Sequence, residues 1–151
     1  MILITRALVA EHKMFCFVFD QIEEILATVS SLGEVKKLTR LVEGLLSSHA
    51  KTEDDLLLLL DSQAASAQEP CAKIEQEHRE MDSRLVQVYA TQKADQAASL
   101  LRAAMTASRR HFAREERIVF PVIEKTIDPQ TLMRLGTTWF LRNHSPHNWT
   151  I

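Results

Sequence analysis

Apolar residues recur at steps of three and four along four long segments of the chain, which is the spacing of one face of an α-helix. The four predicted helices cover about residues 3–31, 34–61, 71–92 and 95–126. Gly33 has the residue type that ends a helix, and Pro70 suits the start of the third one. The periodicity therefore predicts four helices of similar length with short connections.

A fifth, shorter helix is expected after the fourth. Asp128 and Pro129 are the residue types of a helix cap and a first helical turn, and "QTLMRLGTTWFLRN" follows them. Short connections between long helices make successive helices antiparallel. The predicted fold is all-α, an up-down-up-down antiparallel four-helix bundle in residues 1–127, with a short C-terminal helix and tail in residues 128–151.

Composition supports this fold and excludes several classes of partner. The 151 residues include only three glycines, four prolines and one tyrosine, which argues against a sheet. The formal charge of −2 is not gathered into blocks of one sign, so neither nucleic acid nor an anionic membrane surface is an expected partner. Arg6 and Glu11 interrupt the apolar start before the apolar core of a signal peptide can form. The run "LLLLL" is too short to span a membrane.

Two cysteines bear on the cellular compartment. Cys16 and Cys71 form neither a metal-type pair nor a disulfide framework. Free thiols persist where the environment is reducing. A cytoplasmic location is therefore expected.

Each of the four apolar seams contains one histidine, and these are His12, His49, His78 and His111. Residues equally far from the connection between two antiparallel helices lie at the same depth. His78 and His111 are both about 16 residues from the third connection, near residues 93–95, so they should face one another. Counted from residue 33, His12 and His49 differ in depth by roughly 7 Å. A single buried histidine is more often a hydrogen-bonded core residue than a ligand, but four on facing seams indicate a common site.

Two glutamates share these seams. Glu53 follows His49 by four residues, and Glu115 follows His111 by four, so each pair lies on one helix face. A buried carboxylate costs several kcal/mol unless it is neutralised, and a cation is the simplest partner. Imidazole and carboxylate without thiolate favour iron, manganese or zinc, and two carboxylates in a bundle core favour two metals. The alternatives for each carboxylate are an exposed residue at the edge of the seam, or an internal ion pair with Arg110 or Arg114 of the fourth helix.

The order His, His-x-x-x-Glu, His, His-x-x-x-Glu resembles the hemerythrin-like (HHE cation-binding) family. The similarity spans about residues 5–125 and includes "EERIVFPVIE" after the last pair. A ferritin-like di-iron design needs two Glu-x-x-His motifs, and this chain has only the one that ends at His78. The resemblance implies two iron ions in an oxo- or hydroxo-bridged centre, with Glu53 and Glu115 bridging. The implied histidine ligands are His12 and His49 for one iron and His78 and His111 for the other.

The chain leaves two ligand positions open. Glu116, five residues after His111, is the alternative to Glu115 as a bridge, because the family's oxygen carriers place an aspartate at that spacing. Those carriers also have a second histidine four residues after the third-helix ligand, where this chain has Asp82. Asp82 is expected as a seventh ligand, with an acceptor for metal-bound water or a solvated residue as the alternatives. As a ligand it would add negative charge, favour the ferric state and weaken oxygen release.

The resemblance implies a protein that binds dioxygen or a related small ligand at an open iron position, or that senses oxygen or iron. An enzyme is the second reading, as a peroxidase, a nitric-oxide-handling protein or an iron donor for cluster repair. The third is a metal-free helical interaction module. Apolar residues of the fifth helix, which include Leu132, Leu135, Trp139 and Phe140, would suit such a module or a homodimer interface.

Overall fold

The computed structural model describes residues 2–28 and 31–144, and within those ranges it contains helices and no strand. The helices are α1 (Ile4–Leu26), α2 (Leu32–Gln63), α3 (Gln68–Ala90), α4 (Ala94–Arg114), α5 (Phe120–Thr126) and α6 (Pro129–His144). A 3₁₀ turn precedes α3, and a π-helical turn (Glu115–Val119) joins α4 to α5 in one continuous rod. The predicted all-α bundle with a short C-terminal helix is confirmed. Within the described ranges no helix is both long and apolar enough to cross a bilayer.

The first connection lies earlier in the chain than the sequence predicts. Helix α1 ends at Leu26, and α2 begins at Leu32 with Ser31 as its N-cap. The Ser31 hydroxyl accepts a hydrogen bond from the backbone N–H of Glu34 at 3.4 Å, which satisfies a group that the helix itself leaves free. The prediction that Gly33 ends the first helix is wrong, because the Ser31 cap starts α2 before that glycine. The last part of the predicted first helix includes residues 29 and 30, which lie outside the described ranges.

The fourth predicted helix is not a regular α-helix throughout. The backbone N–H of Phe120 donates to the carbonyl of Glu115, five residues earlier, as in a π-helix. Pro121 follows directly, and a proline has no N–H to donate and crowds the carbonyl four residues before it. A wider turn relieves that conflict, and α5 then resumes the regular geometry.

A polar layer divides the core into two apolar halves. The first half contains Phe15, Phe19, Leu46, Leu85, Leu101, Met105 and Phe112. The second contains Leu8, Leu56, Ile74, Val119, Ile123 and Leu132. On α1, α2 and α3 a seam histidine lies between residues of the two halves, and His111 lies at the end of the first half on α4, before Val119 of the second half. The histidines therefore share one level of the bundle.

Helix α6 closes the second half of the core. It packs on α1. On the inner side of α6, Leu132 is buried and Leu135 and Trp139 are partly buried. Phe140 and Leu141 lie on its exposed side. Gly136 approaches the chain before α1 so closely that a Cβ there would lie 2.1 Å from the carbonyl oxygen of Ile2.

We expect Gly136→Ala to destabilise the protein by about 1–3 kcal/mol, because the added methyl group meets backbone that cannot move without shifting α6. Gly44→Ala is the matched control, since a Cβ at Gly44 would meet no atom within 4 Å. That substitution should raise the free energy of unfolding by roughly 0.5–1 kcal/mol through helix propensity. Urea unfolding followed by circular dichroism measures both, and equal effects of the two substitutions would contradict the close approach.

Candidate metal centre

Six side chains from the four long helical rods meet in the polar layer. They are His12, His49, Glu53, His78, His111 and Glu115. Their ligand atoms form two groups, each with all atoms within 4.8 Å of one another. One group combines His12 and His49 with both glutamates, and the other combines His78 and His111 with the same two glutamates. Both carboxylates thus belong to both groups, as bridging ligands of two cations would.

The histidines face each other in pairs. The Nε2 atoms of His12 and His49 lie 2.9 Å apart, and those of His78 and His111 lie 3.0 Å apart. The depth offset predicted for His12 and His49 is therefore wrong. The first connection lies before Ser31 rather than at residue 33, so the two histidines are more nearly equidistant from it.

Each buried glutamate reaches from one histidine pair to the other. The Glu53 oxygens lie 2.7 Å from Nε2 of His49 and 3.2 Å from Nε2 of His78. The Glu115 oxygens lie 3.3 Å from Nε2 of His12 and 3.2 Å from Nε2 of His111. Among the described residues neither Arg110 nor Arg114 forms an ion pair with Glu53 or Glu115, and Arg114 contacts Glu77 at 2.9 Å instead.

An outer set of carboxylates faces the opposite ring nitrogens. Nδ1 of His49 lies 2.8 Å from Glu11, and Nδ1 of His111 lies 2.8 Å from Glu77. The remaining two contacts join Nδ1 of His12 to Glu116 at 2.9 Å and Nδ1 of His78 to Asp54 at 3.6 Å. An ionised carboxylate can only accept a hydrogen bond, so in the three short contacts the Nδ1–H group of the histidine donates. This fixes the tautomer of each ring and leaves its Nε2 atom facing the inside of the layer.

Spacing along single helices does not reveal this outer set of carboxylates, although the sequence contains a local signal for it. Each outer acid is the chain neighbour of an inner ligand, in the pairs "EH", "ED", "EH" and "EE" at residues 11–12, 53–54, 77–78 and 115–116. Each one contacts the histidine of another helix rather than its own neighbour. The structure thereby separates Glu115, which faces the layer, from Glu116, which lies outside it against His12.

The inner donor set fits a pair of cations. Both oxygens of Glu53 and one oxygen of Glu115 are buried and have no hydrogen-bond partner among the described residues. In the neutral imidazoles the Nδ1 atom carries the proton of the outer hydrogen bond, so the inward Nε2 atom has a lone pair and donates nothing to these oxygens. Lone pairs and negative charge without donors are costly in a dry core, and cations with nitrogen and oxygen ligands remove that cost.

Protons are the other source of positive charge in this layer. Burial opposes charging of His12, but the adjacent Glu115 and Glu53 outweigh it and raise its pKa to about 9. Burial likewise opposes charging of His49, and the charge of Glu53 with contact to Glu11 raises that pKa to about 10. Burial alone would raise the pKa of Glu53. The neighbouring imidazoles outweigh burial and hold that pKa well below its usual range, and His49 has the largest effect among them. Cations that bind here must displace protons.

One end of the layer is more open than the other. A cavity of about 290 Å³ is lined by His49, His78 and His111, with Asp54, Met81 and Asp82 among its other walls. The side chain of His78 is 13% exposed, against 2% for each of the other three histidines. At the other end the His12 ring stacks on Phe112, with centroids 4.2 Å apart.

Asp82 lies on the wall of this cavity and is exposed. It belongs to neither ligand group found in the described part of the chain. The seam of α3 continues from His78 through the buried Met81 to Leu85, and Met81 also accepts a hydrogen bond from Ser108 at 3.3 Å. Asp82 therefore lies beside the seam.

The fold and the site together define a helical-bundle protein with a buried histidine and glutamate cluster that can hold metal. Residues 3–130 match the sequence profile described as Hemerythrin HHE cation binding domain, and the chain belongs to that family. No curated protein and no solved structure matches the chain significantly.

Without metal, we expect the free energy of unfolding to fall as pH rises from about 6.5 towards 10. The folded protein keeps protons on His12 and His49 up to pKa values of about 9 and 10, whereas unfolded histidine loses them near 6.5, so stability is lost across that window. Urea unfolding in excess chelator at several pH values measures this decline. His49→Gln has no such proton and should give a flatter profile, while stability that increases with pH in the wild type would contradict the assignment.

Proposed function

We propose that this chain is a di-iron protein that binds dioxygen or a related small ligand. The observation that carries the proposal is the pair of buried glutamates shared by two imidazole pairs. Glu53 and Glu115 would be common to both ions, with His12 and His49 on one side and His78 and His111 on the other. The donor set is compatible with iron, manganese or zinc, and membership of the hemerythrin family favours iron. When bound, two irons supply electrons that can be exchanged with the small ligand.

The outer carboxylates hold the imidazoles in position. Glu11, Glu77 and Glu116 accept Nδ1–H of three histidines at 2.8–2.9 Å. Such hydrogen bonds fix the ring orientation and increase the basicity of the other nitrogen. The inner lone pairs are thus aimed before any cation arrives.

The cavity next to His78 and His111 gives a small ligand access to the centre. Six protein side chains provide few ligands for two ions, so positions remain for an external molecule. Leu46, Met81 and Phe112 form the apolar part of the wall, which suits an uncharged diatomic. The carboxylates of Asp54 and Asp82 outnumber the single lysine of the wall, so they disfavour an anion. Phe112 also covers the His12 ring and keeps water from that half of the layer.

The cellular location and the oligomeric state of the protein are also proposals. Cys16 and Cys71 are both free, which suits the reducing cytoplasm. A homodimer through the exposed side of α6, which carries Phe140 and Leu141, remains a prediction.

Anaerobic loading with ferrous iron should give roughly two irons per chain. Glu53→Ala should reduce this to one or none, because it removes a ligand common to both ions and a negative charge that balances theirs. Asp55→Ala is the matched control, since Asp55 is an exposed carboxylate on the same helix two residues away. Metal analysis after desalting measures the stoichiometry, and two irons in Glu53→Ala would refute the bridging role.

Exposure of the two-iron protein to air should then produce the visible absorption of an oxo-bridged centre. Spectra that stay unchanged in air, with two irons present, would exclude binding or reduction of dioxygen.

A di-iron redox enzyme is the second candidate, and Asp82 is the observation that favours it. Its carboxylate lines the cavity without belonging to a ligand group, so it can hold a proton near a molecule bound there. If the protein consumes peroxide, Asp82→Asn should lower the rate at least tenfold while two irons stay bound. Loss of iron from Asp82→Asn would instead identify Asp82 as a ligand.

A further inference from the structure

The outer hydrogen bonds do not hold the four histidines equally. Three Nδ1 atoms have a glutamate oxygen at 2.8–2.9 Å, whereas Asp54 lies 3.6 Å from Nδ1 of His78, beyond hydrogen-bond distance. Asp54 is one methylene shorter than the glutamates at the other three positions. Because such hydrogen bonds fix the orientation of a ligand ring, the His78 ring is the least restrained of the four.

Burial of the rings follows the same asymmetry. The His12 ring has Phe112 at 4.2 Å and Phe120 at 5.7 Å between ring centroids, both nearly parallel to it. His78 has more exposed side-chain surface than the other three histidines. Ligand exchange at a metal requires room for water or a competing ligand to enter. That room exists beside His78.

The cavity supplies a route to the same end of the layer. It is lined by His78 and His111, and two further carboxylates, Asp54 and Asp82, stand in its wall. His49 also borders it, but that ring is 2% exposed and anchored by Glu11. A separate cavity of about 90 Å³ at the His12 end is lined by Glu116 and Phe120 and by none of the six inner side chains. The wall also contains Lys51, but its two carboxylates outnumber that lysine, so the wall attracts a hydrated cation and can bind it transiently.

We propose that the two metal positions exchange at different rates. The ion between His78 and His111 enters last and leaves first through the cavity walled by Asp54 and Asp82, while the ion between His12 and His49 is retained. This inference rests on the proposed two-metal function and adds an order of loading and a route. The short side chain of Asp54 is the feature of the chain that sets the difference.

Release of iron to a chromogenic ferrous chelator, followed anaerobically from the two-iron protein, tests the proposal. We expect two phases of equal amplitude with rates that differ at least tenfold. A single phase that releases both ions would overturn the unequal positions and leave the two-metal function intact. A protein that never binds two ions would instead refute the proposed function.

Asp54→Glu tests the cause of the difference. The added methylene brings the carboxylate within reach of Nδ1 of His78, so the fast phase should slow at least threefold while two irons remain bound. Asp55→Glu lengthens the neighbouring exposed acid and should leave both rates unchanged. An unaltered fast phase in Asp54→Glu, or equal slowing in Asp55→Glu, would overturn the role given to Asp54.

Single-ligand variants assign the phases to the two positions. His78→Ala should keep one iron that leaves at the slow rate, and His12→Ala should keep one that leaves at the fast rate. The reverse assignment would overturn the proposal. Circular dichroism of each variant checks folding, and where either fails to fold, the Asp54→Glu kinetics decide.

Discussion

Two carboxylates buried at the middle of a helical bundle constrain the rest of this structure. Glu53 and Glu115 are each only 1–2% exposed, and three of their four oxygens have no hydrogen-bond partner within the described ranges. Negative charge in such an environment requires a compensating positive charge, whether from protons on the imidazoles or from cations. The core accordingly forms two apolar halves, with the charged layer enclosed between them.

The outer acids link this layer to the order of the helices. Glu11 on α1 contacts His49 on α2, Asp54 on α2 faces His78 on α3, and Glu77 on α3 contacts His111 on α4. Glu116 closes the circuit by contacting His12 on α1. Each rod thus provides an inner ligand and also an acid for a neighbouring rod, so correct packing and correct ligand orientation depend on each other.

This circuit has an approximate repeat, since α1 and α2 carry the same kinds of residue as α3 and α4. The repeat is imperfect at the contact between Asp54 and His78, and the cavity opens at the same end. A site built from two similar halves therefore acquires one closed end and one accessible end. That difference gives the buried cluster of histidines and glutamates access to solvent at one end.

The sequence determined the helical class and the two pairs of imidazole and carboxylate that share a helix face, because both depend on spacing within one helix. Apolar steps of three and four defined the four rods, and the four-residue spacing of His49 to Glu53 and of His111 to Glu115 placed imidazole and carboxylate on one face. The apolar pattern continues across the break before Ser31 and across the π turn before Pro121, so it predicts regular helix at both places. The Ser31 cap and the proline set the local backbone there instead. Only the tertiary structure decided which acid serves which histidine, which of Glu115 and Glu116 faces the layer, and where Asp82 lies. Those contacts join residues of different helices and depend on the packing distances between helices. The spacing of residues along one helix contains no information about those distances.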